Sequence, residues 1–265
     1  MNNKNRKLKI LFFTFSLNII VGIIYLSHYY YLQYTNEALY KELQTKVTQT
    51  KVLHTKPKEP SKLAEISSSN QETLFESSEL SIDFNELKKL NNDIYAWIYI
   101  PNTEISYPIL QHPEDDSYYL NHNLDGQKGY PGCIYSEQYN KTDFSDPVTV
   151  LYGHNMNNGT MFGSLLKYED NNFLNENYSI SIYTSKQSFK YEIVLVAEYD
   201  NIHILKSFDF LNKESKTQFL KSVLNESKKV LTKNLDVHST SQLLVLSTCL
   251  KTNSSKRLLI VAQKS

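Results

Sequence analysis

The chain has 265 residues, with 28 Lys+Arg against 28 Asp+Glu. A balanced charge gives no electrostatic footing for nucleic acid, so no nucleic-acid partner is expected. Hydrophobic residues at 40% and aromatic residues at 12% suffice for one packed core and exclude a wholly disordered chain.

Lys4, Arg6, Lys7 and Lys9 precede an uncharged, mostly apolar run from Ile10 to Leu26. Counted from Leu8, the run is about 19 residues, close to what a helix needs to cross a bilayer. Tyr25, Tyr29, Tyr30 and Tyr31 crowd its far end, where an aromatic belt sits. A cleaved signal peptide shares the charged start. Bulky Tyr and His follow the run, however, where a cleavage site requires small residues, so an uncleaved anchor over residues 8–26 is favoured. The basic residues of segment 1–7 place the N-terminus in the cytoplasm and the rest of a single-pass protein outside.

Residues 27–80 read as an extracellular helical or linker stalk. Gln33 to His54 is polar with scattered Leu and Val, and Lys56–Pro60 and Ser67–Gln71 have linker composition. The expectation for this stretch is a solvated spacer.

A folded domain is expected over residues 81–265. Asp83–Leu90 has helical spacing, with Phe84, Leu87 and Leu90 on one face and an acidic cap. Short strands then recur at Ala96–Ile100, Ile105–Leu110, Cys133–Tyr135, Val148–Tyr152, Ser179–Tyr183 and Tyr191–Ala197, with Gly, Pro, Asn and Asp between them. That pattern is mostly β and indicates a barrel or sandwich. Two helices are expected to interrupt it, near Met161–Tyr168 and between about Asn212 and Leu231. The chain closes on Leu243–Cys249 and Lys256–Ala262, two apolar strands joined by the turn-forming Lys251–Ser255.

If those last strands pair, Cys249 and Arg257 stand side by side at one end of the sheet. A thiol beside a fixed positive charge points to a reactive nucleophile. The other cysteine, Cys133, lies in a strand entering the core and reads as a small buried thiol. Two cysteines make no disulfide framework, and whether they pair with each other stays open.

Among the histidines, His154 differs from the rest. It follows the strand Val148–Tyr152 through Gly153, and by period-two alternation Val150, Tyr152 and His154 share a face, as do Val245, Ser247 and Cys249. The other histidines sit in polar surroundings and read as solvated. No His-x-x-x-His or Cys-x-x-Cys pair supports a metal site.

Leu246-Ser-Thr-Cys249 resembles the Thr-Leu-x-Thr-Cys signature of sortases, with Val245 in place of the first Thr. Leu151–Met156 resembles the family's histidine segment, and Arg257 falls on the following strand, as in that family. Ala96–Gln111, Ser117–Leu120 and Gly159–Leu165 are similar to class B sortases, and the likeness runs from about Ser81 to the C-terminus.

The resemblance implies an eight-stranded β-barrel with an N-terminal helix and an added helix before the cysteine strand, here preceded by a single transmembrane helix. It implies a cell-surface cysteine transpeptidase of Gram-positive cells, with His154, Cys249 and Arg257 catalytic. Such an enzyme cleaves a C-terminal sorting signal, holds the acyl part as a thioester and passes it to an amine of a peptidoglycan precursor or to a pilin lysine. Tyr152 and Ser247 match positions lining the substrate groove, and Thr248 is grouped with them as substrate-binding. No metal or organic cofactor is implied. A pilus-assembling sortase, a cysteine peptidase releasing to water and an inactive membrane-tethered binding module are the alternatives.

At ordinary pKa values only about 3% of thiol is thiolate at pH 7, and about 1% would be a thiolate–imidazolium pair. Either that minor pair reacts directly or proton transfer accompanies attack. Arg257 has two roles open to it: stabilising the developing oxyanion, or holding the substrate backbone. No carboxylate stands out as a third partner for His154.

Overall fold

The structure, a computed structural model, describes residues 3–53, 80–226, 230–238 and 240–265. The linker segments Lys56–Pro60 and Ser67–Gln71 lie outside the described residues.

The described residues form nine strands: β1 (Ile94–Tyr99), β2 (Ser106–Leu110), β3 (Ile134–Tyr135), β4 (Val148–Tyr152), β5 (Ser179–Thr184), β6 (Ser188–Asp200), β7 (Val230–Thr232), β8 (Leu243–Cys249) and β9 (Lys256–Lys264). Eight of them follow one another in the order β5-β1-β2-β3-β4-β8-β9-β6, and pairing of β5 with β6 closes the barrel. Closure removes the free edges that an open sheet would expose.

Strand β7 was not foreseen. The helix expected between Asn212 and Leu231 is α5 (Lys213–Glu226), and Val230–Thr232 instead pairs with Leu195–Ala197. The cause is the length of β6. Strand β5 covers only Ser188–Glu192, so the edge beyond it is left for another strand to fill.

The helix expected over Met161–Tyr168 also needs correction. Met161 has a positive φ of 52°, outside the right-handed helical region. A 3-10 turn occupies Gly163–Glu169, and α3 (Asn171–Glu176) follows it, capped by Asp170 accepting from Asn172 N at 2.8 Å. A short α4 (Ile204–Ser207) precedes α5. The expected helix after Asp83 is α2 (Phe84–Leu90), with the Asp83 carboxylate accepting from the amides of Asn85 and Glu86. Phe84 and Leu87 are buried, but Leu90, expected on the same face, is exposed.

Strands β4, β8, β9 and part of β6 are covered on both faces. Leu151, Leu244, Leu246 and Ile260 point into the barrel core. Val150, Val245 and Val261 point outward and pack with Phe219, Leu220 and Val223 of α5. A strand buried on both sides has no reason to alternate, which explains the unbroken apolar run that opens β8.

The helix α1 (Asn3–Leu53) is continuous, and its apolar N-terminal half is long and apolar enough to cross a membrane, with none of that window packed in a core. The solvated-spacer expectation for Gln33 onward fails in its described part. Tyr40, Leu43 and Val47, at helical spacing, are buried in the same cluster as the barrel interior. The Tyr40 ring meets Tyr107 of β2 edge-on at 5.3 Å, and its hydroxyl faces Gly132 O at 3.2 Å and Cys133 Sγ at 3.4 Å. Gln44 Nε2 donates to Ser106 O at 3.0 Å. Burial of three large side chains outweighs the expectation drawn from the polar residues around them.

Candidate active site

The groove begins where α5 stops covering the outer face of the barrel. Val150 and Val245, paired in parallel register on β4 and β8, lie beneath the helix. One pleat further on, Tyr152 and Ser247 are also in register, and both line a cavity of about 290 Å³. Beyond them the same face delivers His154 and Cys249, as the alternation predicted. Antiparallel pairing of β8 and β9 sets Cys249 directly opposite Arg257. His154, Cys249 and Arg257 all line the one cavity. The loop residues Asn201, Ile202 and His203 line it as well, after β6.

Each of these groups is held by the backbone. His154 Nε2 lies 2.7 Å from the carbonyl oxygen of Leu120. A carbonyl only accepts, so Nε2 carries the proton, and Nδ1 is the basic nitrogen of the neutral ring. A main-chain carbonyl thus takes the orienting place for which no carboxylate stood out in the sequence. The Tyr130 ring tilts against the imidazole at 4.8 Å.

Gly153 sits before His154 because nothing larger fits. A Cβ there would come within 2.5 Å of Ile134 Cδ1 and 2.8 Å of Phe162 Cδ2. Asn155 Nδ2 donates to Cys249 O at 2.8 Å, tying the histidine loop to the end of β8. Arg257 Nη1 donates to the carbonyls of Ser254 and Lys256 at 3.3 and 3.2 Å, which turns part of the guanidinium toward its own hairpin. Cys249 is a free, half-buried thiol, and Cys133 is free and buried, so the two are not bonded to each other.

The three residues named as substrate-binding divide. Tyr152 and Ser247 line the groove. Thr248 is buried, and its hydroxyl donates to Gly153 O at 2.7 Å, so its side chain joins β8 to the turn before His154.

Two groove residues were missed from sequence. Glu137 lies just past β3, and its carboxyl is pushed up to about 7 by burial and by the nearby charge of Asp116. His203, expected to be solvated, places Nε2 3.1 Å from Glu137 Oε2. Burial and Lys206 hold the His203 ring below its ordinary value. No local motif marks either residue, because the loops that carry them meet only in three dimensions.

Residues 98–265 match the family model described as the sortase domain. The chain is 35% identical over 171 residues to Sortase B of Listeria monocytogenes, covering 64% of this chain and 68% of that protein. A solved structure of a Staphylococcus aureus sortase B–substrate complex superposes with a TM-score of 0.67 at 23% identity, covering 88% of this chain and 97% of that one, a likeness of fold. A class B sortase of Streptococcus pyogenes described as involved in pilus biogenesis gives a TM-score of 0.59 at 28% identity, covering 69% and 98%. The chain therefore belongs to the sortase family, and its relatives are of class B. It is a cysteine transpeptidase with the closed eight-stranded barrel of that family.

Proposed function

We propose that Cys249 is the nucleophile, His154 the proton carrier and Arg257 the fixed cation of a cell-surface transpeptidase acting on the C-terminal sorting signals of exported proteins. The observation that carries this reading is the convergence of the three side chains on one cavity, with Cys249 and Arg257 in register across a hairpin.

Cys249 Sγ passes its proton to His154, before or during attack on the scissile carbonyl, and the attack forms a tetrahedral oxyanion beside an imidazolium. Its collapse breaks the C–N bond, and His154 gives a proton to the departing amine. A thioester on Cys249 remains, and the imidazole is neutral. An incoming amine attacks the thioester and loses a proton to His154, and the thiolate departs, which restores the starting pair. The Leu120 carbonyl keeps the Nε2 proton in place throughout, so Nδ1 is the nitrogen that cycles. Arg257 stabilises the oxyanion or grips the substrate backbone through its planar donors. Tyr152 and Ser247 form the groove floor. Thr248 acts by holding Gly153 and thereby the approach to His154.

The apolar half of α1 serves as the single membrane anchor, with Lys4, Arg6, Lys7 and Lys9 on the cytoplasmic side and the barrel outside. The acceptor is an amine of a peptidoglycan precursor, or a lysine of a pilin. Incubation of the protein with a sorting-signal peptide library, with and without triglycine, tests the reading by mass. Transpeptidation gives a Cys249-dependent acyl–triglycine adduct. Release to water alone, unchanged by the amine, would make the protein a peptidase instead.

A further inference from the structure

We propose that Glu137, held by Tyr152 and His203, forms an ammonium-binding subsite in the groove beside Cys249. The ammonium is either a lysine side chain of the sorting-signal peptide or the acceptor amine before it gives up its proton. This deepens the transpeptidase reading and rests on it.

Glu137 Oε2 is fixed by two donors. His203 approaches it through Nε2 at 3.1 Å and Tyr152 through Oη at 3.4 Å. The His203 tautomer is set from the other side of the ring, where Nδ1 accepts the Lys206 amide at 3.2 Å as the cap of α4. Nε2 therefore carries the proton and donates even when the ring is neutral. Both donors are then uncharged, and they orient the carboxylate without neutralising it.

The second oxygen, Oε1, has no hydrogen-bond partner among the described residues, and Glu137 lines the cavity. Asp116, whose carboxylate also accepts the Gln138 amide at 2.7 Å, adds negative charge nearby. The nearby cation, Lys206, lies over the Tyr139 ring at 5.3 Å, and no ion pair joins it to Glu137 among the described residues.

A half-buried carboxylate with one satisfied oxygen, no Lys or Arg ion-paired to it among the described residues and an opening onto a substrate groove is matched by an ammonium from outside, with the more distant Lys206 charge only partly countering it. The raised carboxyl fits this as well. An arriving cation would favour the ionised form that burial disfavours. With Glu137 ionised, Arg257 and Glu137 thus give one cavity two poles of opposite charge, one beside the sulfur and one along the groove.

The test uses Glu137→Gln, whose amide oxygen still accepts from His203 and Tyr152 while the charge is lost. Peptides cleaved by the wild type are prepared with lysine or norleucine at each position, and hydrolysis is followed without added amine. In a second arm, KM for triglycine and for Nα-acetyl-lysine is measured with a norleucine peptide. If the peptide supplies the ammonium, Glu137→Gln erases a lysine preference of about 10- to 100-fold at one position and leaves the acceptor KM alone. If the acceptor supplies it, the acceptor KM rises about tenfold or more and peptide selectivity stays put.

Binding of the lysine and norleucine peptides, and of both amines, to a Cys249→Ala protein is measured by titration calorimetry, with and without Glu137→Gln. This does not depend on turnover. Absence of any Cys249-dependent acyl-enzyme in the wild type would sink the transpeptidase reading, while the calorimetry would still report on the subsite. Unchanged lysine selectivity, acceptor KM and ammonium binding in a folded Glu137→Gln protein overturn the proposal.

Discussion

The two cysteines occupy opposite kinds of environment in one barrel. Cys133 opens toward the core beneath α1, fully enclosed, with the Tyr40 hydroxyl 3.4 Å from its sulfur. Burial pushes its thiol up to about 12, which the Tyr40 contact only partly offsets. Cys249 ends a strand at the groove, half-buried, opposite a guanidinium and in the same cavity as an imidazole. The difference teaches that what sets the two thiols apart is what covers each strand end. The thiol just before β3 is enclosed beneath α1 and serves as packing. The thiol at the end of β8, one pleat past the covering helix, opens onto the groove.

The sharpest way to break this comparison is to exchange the fates of the two thiols. Cys249→Ala should lower cleavage of a sorting-signal peptide by about 10⁴-fold or more. Cys133→Ala should stay within about twofold, since Cys133 is buried and is not among the residues lining the groove. Mass analysis of the native protein treated with iodoacetamide at pH 8 should find the label on Cys249 and not on Cys133. Equal labelling of both would abolish the distinction.

Next in size is the charge opposite Cys249. Arg257→Lys keeps a positive group and loses the planar fork, and kcat/KM should fall by about 10²- to 10³-fold with Tm unchanged. Wild-type turnover in that variant would demote Arg257 to a surface charge.

On the buried side, Tyr40→Phe removes the hydroxyl that faces Gly132 O and Cys133 Sγ. Stability should drop by about 1 kcal/mol in urea unfolding. A neutral result would show that α1 is held by its apolar contacts alone.

The smallest effect concerns Glu137. A carboxyl raised in the fold stabilises the fold while protonated, and that contribution is lost as pH climbs from the ordinary 4.5 through about 7. Glu137→Gln stays neutral, so its Tm relative to wild type should rise across that window. A flat difference would mean that the carboxyl is not raised.

The strands were largely legible because they carry dense apolar runs between turn residues; the choice of a barrel over a sandwich came from the resemblance to class B sortases. The hairpin Leu243–Ala262 was clearest, since both of its faces are buried, and its register followed from where the runs end. The site residues His154, Cys249 and Arg257 could be chosen because each lies at or just beyond the end of an apolar run. The alternation put Tyr152 and Ser247 on the faces of His154 and Cys249, and the resemblance supplied their place in the groove, but the direction of the Thr248 hydroxyl was not legible, because its partner is a main-chain atom. The Leu120 carbonyl escaped for the same reason, since any residue type supplies a carbonyl. Glu137 and His203 escaped because they become neighbours only when the barrel closes. The docked face of α1 did have a signal, the spacing of Tyr40, Leu43 and Val47, but polar neighbours diluted it.

The unbroken course of α1 fixes a standoff. From Leu26 to Asn36 the helix advances by about 15 Å, with no hinge between the apolar half and the docked half. With the first half in a bilayer, the barrel rides on a strut and not on a leash. It samples a thin layer above the lipid and little beyond it. Both reactants must then be presented within that layer, which favours substrates that are themselves still held by the membrane.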